Sequence, residues 1–331
     1  YRVKMKTKYI ILAFMAALFT FTSCNDEWTD EQYAQYISFK APINNGGVSQ
    51  IFVKYKEAGK VTYQLPVIVS GSTMLSNPLN VHIGLDKDTL DVLNVERFHS
   101  RDDLFYQLLK PENYEIPDYT VNIPAGECVG LLNIDFKLEN LDMVDKWVLP
   151  LTILEDPDHT YQPNMRKHYR KALLYVTPFN DYSGNYSTTT TSVYFREGSS
   201  DPMVVNNRTA YVVDDNTIFF YAGVTDEKRK DRRAFKIFVK FNEDGTLTLD
   251  QEDPQLNLKV IGTPTYDIEE TTDVDQPYLI HRYVTLNLEY EYDDTLEVPD
   301  YTVKYRAKGI MTMERKINTQ IPDEDQAIEW N

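Results

Sequence analysis

Cleavage of a glycosidic bond needs two carboxylates flanking it, and Asp135 and Glu139 in NIDFKLE form one candidate pair. With 51 acidic residues in the chain, such pairs are expected by chance, and a catalytic reading is not preferred. Aromatic rings beside carboxylates suit different chemistry, in which the ring stacks on the C–H face of a sugar while the carboxylate accepts from its hydroxyls. Trp330 beside Glu329 is the first such group, and Tyr290, Tyr292 and Asp293 in YEYD form the second. The histidines His82, His99, His159, His168 and His281 are scattered without ligand spacing, so neither a metal nor a cofactor is expected. No G-x-S-x-G, H-E-x-x-H or Walker loop occurs. DIEETTDVDQP (267–277) lacks the order of ligands and the glycine of an EF-hand and reads as a solvated acidic loop rather than a Ca²⁺ site. DEKRKDRR (226–233) reads as a solvated hairpin tip that blocks edge-to-edge pairing. Its sharper alternative is contact with an acidic partner or an anionic sugar.

Cys24, in FTSCNDEW, offers a disulfide, a metal site, a catalytic thiol or a lipid anchor. The residues before it decide between them. Arg2, Lys4, Lys6 and Lys8 precede an apolar run over 10–21 that is too short to span a bilayer, which takes about 20 residues. Basic, then apolar, then small residues is the pattern of a secretory signal. A cysteine directly after it resembles the lipobox of bacterial lipoproteins, which implies cleavage before Cys24 and acylation of its thiol and amine. Asn25-Asp26-Glu27 resembles the acidic export tag of Bacteroidetes lipoproteins, implying the outer face of the outer membrane. Cys128 is then alone, a small residue beside a strand-like run, with no internal disulfide.

The chain carries 51 acids against 34 Lys and Arg, a net charge of −17. Loss of the basic leader raises the acid excess further. That argues against nucleic acid as a partner, since its affinity comes from cations meeting phosphates, and against adhesion to anionic lipid. The 24 tyrosines exceed the 15 phenylalanines. Tyrosine favours strands and tolerates half-burial.

The elements that must position these groups read almost entirely with period two. VTYQLPVIVS (61–70), LNVHIGL (79–85), VGLLNIDFKL (129–138), KWVLPLTIL (146–154) and RKALLYV (170–176) alternate apolar and polar residues, as half-buried antiparallel strands do. Trp147 falls in phase with Leu149 and Leu151, so it belongs to the core, and Leu85 falls in phase with Ile83. Only DTLDVLNVERF (88–98) and RDDLFYQLLK (101–110) look helical. A Pro, an Asn-Asp pair and a Gly in YVTPFNDYSGNY (175–186) mark a domain boundary near residue 179. Beyond it SVYF, RTAYVV, NTIFFYAG, RAFKIFVKF, TLTLD, RYVTLNLEYEY, YTVKYRA and GIMTMER give about eight strands, with Asp244-Gly245 a hairpin turn. The expected fold is all-β: an antiparallel sandwich, then a second antiparallel β domain, an up-and-down barrel in type. The expected organisation is a signal peptide over 1–23, a lipidated acidic spacer over 24–35, a sandwich over 36–178 and a barrel-like domain over 179–331.

YISFKAP (36–42), LLKPENYEIPDYTVNIPAG (108–126) and VLPLTIL (148–154) form an ordered series that resembles the N-terminal Ig-like domain of Bacteroidetes glycan-locus lipoproteins. These include surface glycan-binding proteins and endoglycosidases. GNY at 184–186 resembles the start of lipocalin-like barrels, and the C-terminal half looks like the uncharacterised domain that often follows the sandwich. The resemblance implies a non-enzymatic lipoprotein that binds glycan at the cell surface beside a SusC/SusD-type transporter, held to the outer membrane through acyl chains on Cys24. The alternatives are a structural or protein-binding module of a surface assembly and, third, a glycoside hydrolase.

Overall fold

The computed structural model describes residues 31, 33–197, 201–298, 301–323 and 325–330. Cys24 and the leader expected over 1–23 lie outside the described residues. The strands fall into two sets. The first comprises β1 (Ile37–Phe39), β2 (Ser49–Lys54), β3 (Val61–Val69), β4 (Leu79–Leu85), β5 (Tyr106–Leu108), β6 (Tyr114–Glu115), β7 (Thr120–Ile123), β8 (Val129–Phe136), β9 (Lys146–Ile153) and β10 (Lys171–Phe179). One sheet runs β1-β3-β8-β6 and the other β2-β10-β9-β4-β7, with β5 beside β9. Pairing is antiparallel except for β2–β10 and β5–β9. The alternation read from sequence holds: Leu65 and Val67 meet Leu132, Ile134 and Phe136 on one inner face, and Val81, Ile83, Leu149, Leu151 and Ile153 line the other. Leu85 departs from it and is exposed at the end of β4. Each fully buried side chain of this kind contributes about 1.5–3 kcal/mol.

The second sheet is buried on both faces at β9, because helix α1 (Lys87–Phe98) lays Leu90 on Val148 and Leu173. Asp86 caps this helix by accepting from the Thr89 N–H and also pairs with Lys171 at 2.6 Å. The second expected helix, over 101–110, does not form. A single 3₁₀ turn at Asp102–Leu104 leads into β5 instead. Asn94 explains why: its amide donates to the Tyr106 carbonyl at 2.9 Å and accepts from the Tyr106 N–H at 2.8 Å, taking both groups a helix would need.

The second set comprises β11 (Gly184–Ser187), β12 (Ser192–Phe195), β13 (Asn207–Val212), β14 (Thr217–Tyr221), β15 (Lys236–Phe241), β16 (Leu247–Gln251), β17 (Lys259–Val260), β18 (Thr265–Thr272), β19 (Leu279–Val298), β20 (Tyr301–Asn318) and β21 (Ile328–Glu329). The order β16-β15-β14-β13-β11-β20-β19 continues to β18, and a bridge between Thr246 and Thr265 brings β18 back to β16. The sheet is thereby a nearly closed barrel. Asp244-Gly245 makes the expected hairpin, with Gly245 at φ 81° and the Asn242 N–H bonded to the Thr246 carbonyl at 3.0 Å. Two expectations change. YTVKYRA and GIMTMER are one strand, β20, and DIEETT is not loop but most of β18, paired residue for residue with β19. Gly309 (φ 152°) sits inside β20 where a Cβ would collide with the Thr190 carbonyl, at the point where β20 changes partner from β12 to β11.

Candidate functional site

The connection between the two β units is not slack. Asn180 and Ser183 are buried; the Asn180 amide donates to the Asp214 carbonyl at 2.8 Å, and the Asn180 N–H donates to Ser183 Oγ at 3.0 Å. Arg315, on β20, is buried beneath this turn and donates to the carbonyls of Asn180 (3.0 Å) and Ser183 (2.6 Å). Burial holds its guanidinium below the ordinary arginine range.

Two further contacts fix the units against each other. In β14 every residue is buried: Ile218 and Phe220 enter the barrel core, while Phe219 and Tyr221 join the sandwich core with Val212. The unbroken apolar run TIFFY is the sequence trace of a strand covered on both sides. The second contact is the 226–233 loop, which is not a solvated tip. Arg232 is buried and donates to the Asp103 carbonyl at 2.6 Å, and Arg233 pairs with Asp142 (2.5 Å) and Asp145 (2.6 Å). Arg229 pairs with Asp231 and Asp294 and lies over Phe235. The acidic partner of Arg232 and Arg233 is therefore the chain's own sandwich domain, while Arg229 is held within the barrel unit.

Between these contacts the units leave a crevice of about 600 Å³. Period two places its walls. On the sandwich side, β2 and β10 run parallel with Gln50 opposite Tyr175 and Phe52 opposite Thr177. On the barrel side, Asn185 and Ser187 of β11 lie opposite Thr209 and Asn207 of β13, and Tyr211 continues that face. Lys146, at the start of β9, and Glu227 stand where the crevice runs into a second space of about 390 Å³, bounded by Asp103, Arg208 and Arg232. Gln50 Nε2 donates to Thr177 Oγ1 at 3.1 Å, and the Tyr211 hydroxyl donates to Glu227 at 2.9 Å. Burial pushes the Tyr175 phenol up to about 12, and burial beside Glu227 raises Tyr211 as well. Both stay protonated donors at neutral pH. Burial pulls the Lys146 ammonium down, although its side chain is reached from the crevice. Half-buried phenol rings set among amides and hydroxyls can stack on a sugar and bond its hydroxyl groups.

The residues singled out from sequence go to different places. Trp330 reaches this crevice, but one ring face stacks on Phe52 with centroids 3.9 Å apart, and Phe179 meets it edge-on at 4.8 Å. It clasps the end of the barrel to the sandwich. Glu329 is exposed on β21, opposite Lys316. Tyr290 and Tyr292 are not sugar platforms. They are buried in the barrel, 4% and 1% exposed, with their hydroxyls accepting from the Gly223 and Val224 N–H groups. The reason was present in the sequence: they continue the inward phase of Val284, Leu286 and Leu288 along β19. Asp293 takes the outward phase, pairing with Arg196 at 3.4 Å and accepting from Asn257 at 2.7 Å. Asp135 and Glu139 are likewise engaged, Asp135 with Thr62 at 2.6 Å and Glu139 with the Ala58 N–H. Among the described residues, no group of three or more His, Cys, Asp or Glu is placed to hold a metal ion. None of their helices is long and apolar enough to cross a membrane. Sequence reasoning missed Lys146, Tyr175, Tyr211 and Asn207. For Tyr175 and Tyr211 the available signal was an aromatic on the polar phase of a strand; Lys146 and Asn207 carried none.

Fold and crevice together define a two-domain all-β protein, sandwich then barrel, with a crevice between the two. A model described as a domain of unknown function (DUF4973) matches residues 28–157, and a model of a C-terminal domain matches residues 170–312. A solved Bacteroides ovatus protein of unknown function is 50% identical, with a TM-score of 0.82 over 89% of this chain and 100% of that one. A B. ovatus multidomain protein including DUF1735 is 49% identical, with a TM-score of 0.81 and the same 89% and 100% coverage. An auxiliary nutrient binding protein from Bacteroides thetaiotaomicron is 36% identical, with a TM-score of 0.80 over 88% of this chain and 100% of that one. No curated protein matches. The chain belongs to the family of these two-domain Bacteroides proteins.

Proposed function

We propose that this protein is a surface lipoprotein that binds oligosaccharide without cutting it, as an accessory to an outer-membrane glycan importer. The observation that carries the reading is the crevice between the domains, where Tyr175 and Tyr211 stand among Gln50, Thr177, Asn185 and Asn207. Support comes from the relative named an auxiliary nutrient binding protein, which shares 36% of its residues with this chain. Acyl chains on Cys24 would supply the anchor at about 0.8 kcal/mol per buried CH₂, with more than one chain needed for a stable hold. A weak site tethered in this way gains from effective concentration at the membrane. The test is affinity electrophoresis and titration calorimetry against a polysaccharide panel, using the wild type, Tyr175→Ala and Asn207→Ala. Retardation that both variants weaken supports the reading; an unretarded wild type, or equal retardation of all three, refutes it. Product analysis after long incubation with the bound glycan checks that no cleavage occurs. Mass spectrometry of the protein from its native host checks for acyl mass on Cys24.

A further inference from the structure

The ion pairs around the crevice are nearly all closed. Asp103 is held by Arg101 at 2.8 Å and by Arg232, and Asp145 by Arg233 at 2.6 Å. Glu227 holds the Tyr211 hydroxyl. Arg208 donates to the carbonyls of Gly223 and Thr225. Lys146 and Lys228 are the exceptions: among the described residues neither ammonium has an ion pair or a hydrogen bond, and of the two only Lys146 stands at the junction of both spaces.

That isolation runs against the character of the chain. In a protein with a net charge of −17, carboxylates outnumber the cations that could hold them. The space beside Lys146 is lined by four carboxylates, Asp103, Asp145, Asp226 and Glu227, but arginines hold Asp103 and Asp145, and an oxygen of Glu227 already serves Tyr211. Lys146 is thus left without a dedicated counter-ion in a partly desolvated place, where a charge brought to it is weakly screened. A lysine in such a place offers three rotatable donors and one positive charge. Neutral sugar hydroxyls would satisfy the donors but leave the charge uncompensated.

We propose that the crevice takes an oligosaccharide bearing an anionic substituent, a carboxylate or a sulfate ester, seated on the Lys146 ammonium with the flanking rings against Tyr175 and Tyr211. This deepens, and rests on, the glycan-binding reading of the same crevice. It differs from the basic-loop alternative read from sequence, because Arg232 and Arg233 of that loop are consumed by the domain interface and Arg229 by Asp231 and Asp294, while Lys146 lies outside the loop.

The test uses matched pairs that differ only in charge: oligogalacturonides against their methyl esters, and sulfated carrageenan oligosaccharides against their desulfated forms. Calorimetry is run on the intact protein, Lys146→Met, Lys146→Arg and Tyr175→Ala, each checked for native near-UV circular dichroism. The expected result is that one anionic series binds about ten- to a hundredfold more tightly than its neutral partner. Lys146→Met abolishes that preference and Lys146→Arg restores most of it. Preference in the first pair assigns the carboxylate and in the second the sulfate. If neutral partners bind as well as anionic ones, Lys146→Met changes neither, and Tyr175→Ala still weakens both, the anionic proposal falls while the crevice reading stands. If no saccharide in any panel binds, or Tyr175→Ala has no effect on binding, both fall together.

Discussion

Adjacent phenylalanines on β14 provide a test of how the two domains are joined. Phe219 and Phe220 share residue type, strand and burial, at 2% and 1% exposure. Phe219 points into the core shared with the sandwich, where its ring centroid lies 5.1 Å from Tyr211, 5.9 Å from Tyr221 and 6.2 Å from Phe238. Phe220 points into the barrel, with Tyr290 as its ring neighbour at 6.4 Å. Truncating a buried Phe to Ala costs about 3–5 kcal/mol, and each aromatic pair lost adds about 0.5–1.5 kcal/mol. Phe219→Ala therefore falls at the upper end of the range and Phe220→Ala nearer the lower end. The decisive difference is where the loss lands. Differential scanning calorimetry of Phe220→Ala should show one transition at lower temperature, because the barrel weakens while the interface persists. Phe219→Ala should separate the sandwich and barrel transitions, because the shared core is what couples them. It should also weaken ligand binding in the crevice without touching a lining side chain. A single sharp transition in Phe219→Ala, with a loss no larger than that of Phe220→Ala, would refute the assignment of Phe219 to a shared core.

Two further outcomes are expected. Trp330→Ala removes the stack on Phe52 and the edge contact with Phe179. Because Trp330 is only half-buried, the cost should be about 1–3 kcal/mol in urea unfolding; a change under about 0.5 kcal/mol would show that the clasp contributes nothing. His281 lies between Asp273 (2.9 Å) and Glu314 (2.5 Å), which raise it above its ordinary value of 6.5. A raised folded value means the ion pairs stabilise the β18–β19 hairpin fully below that ordinary value and are lost as pH rises through the folded one. NMR titration should place His281 above 6.5, and amide exchange in the hairpin, corrected for its intrinsic pH dependence, should accelerate as pH rises through the folded value. A value at or below the ordinary one would overturn this.

Much of the fold is legible because a half-buried strand writes its phase into the chain. The alternation over 61–70 and 129–138, the Asp244-Gly245 turn and the unbroken apolar run of β14 each carry their own local instruction. The failures share a cause: a partner distant in sequence overrode the local pattern. RDDLFYQLLK has a helical distribution of apolar residues, but the Asn94 amide captures both backbone groups of Tyr106. DIEETT has no apolar phase because neither of its faces is buried. It is a strand through its ladder to β19 alone. The basic segment at 226–233 reads as solvent-facing until Asp103, Asp142 and Asp145 are brought to it from the other domain.

The candidate site was hidden for a stronger form of the same reason. Tyr175 and Tyr211 are conspicuous only as aromatics on the polar phase of their strands, and a chain with 24 tyrosines offers many of those. The two walls come from different domains: one is the outer face of β2–β10 and the other the outer face of β11–β13. The crevice exists because Arg315 fixes the connecting turn, β14 buries both faces and the basic loop grips the sandwich. Each device consumes charge or apolar surface that would otherwise compete for a ligand. Lys146 stands out only after the other charges have been assigned, as the unpaired ammonium that borders both spaces. A site of this kind follows from the docking of two domains, so mutations that loosen the interface should weaken binding as surely as mutations in the walls.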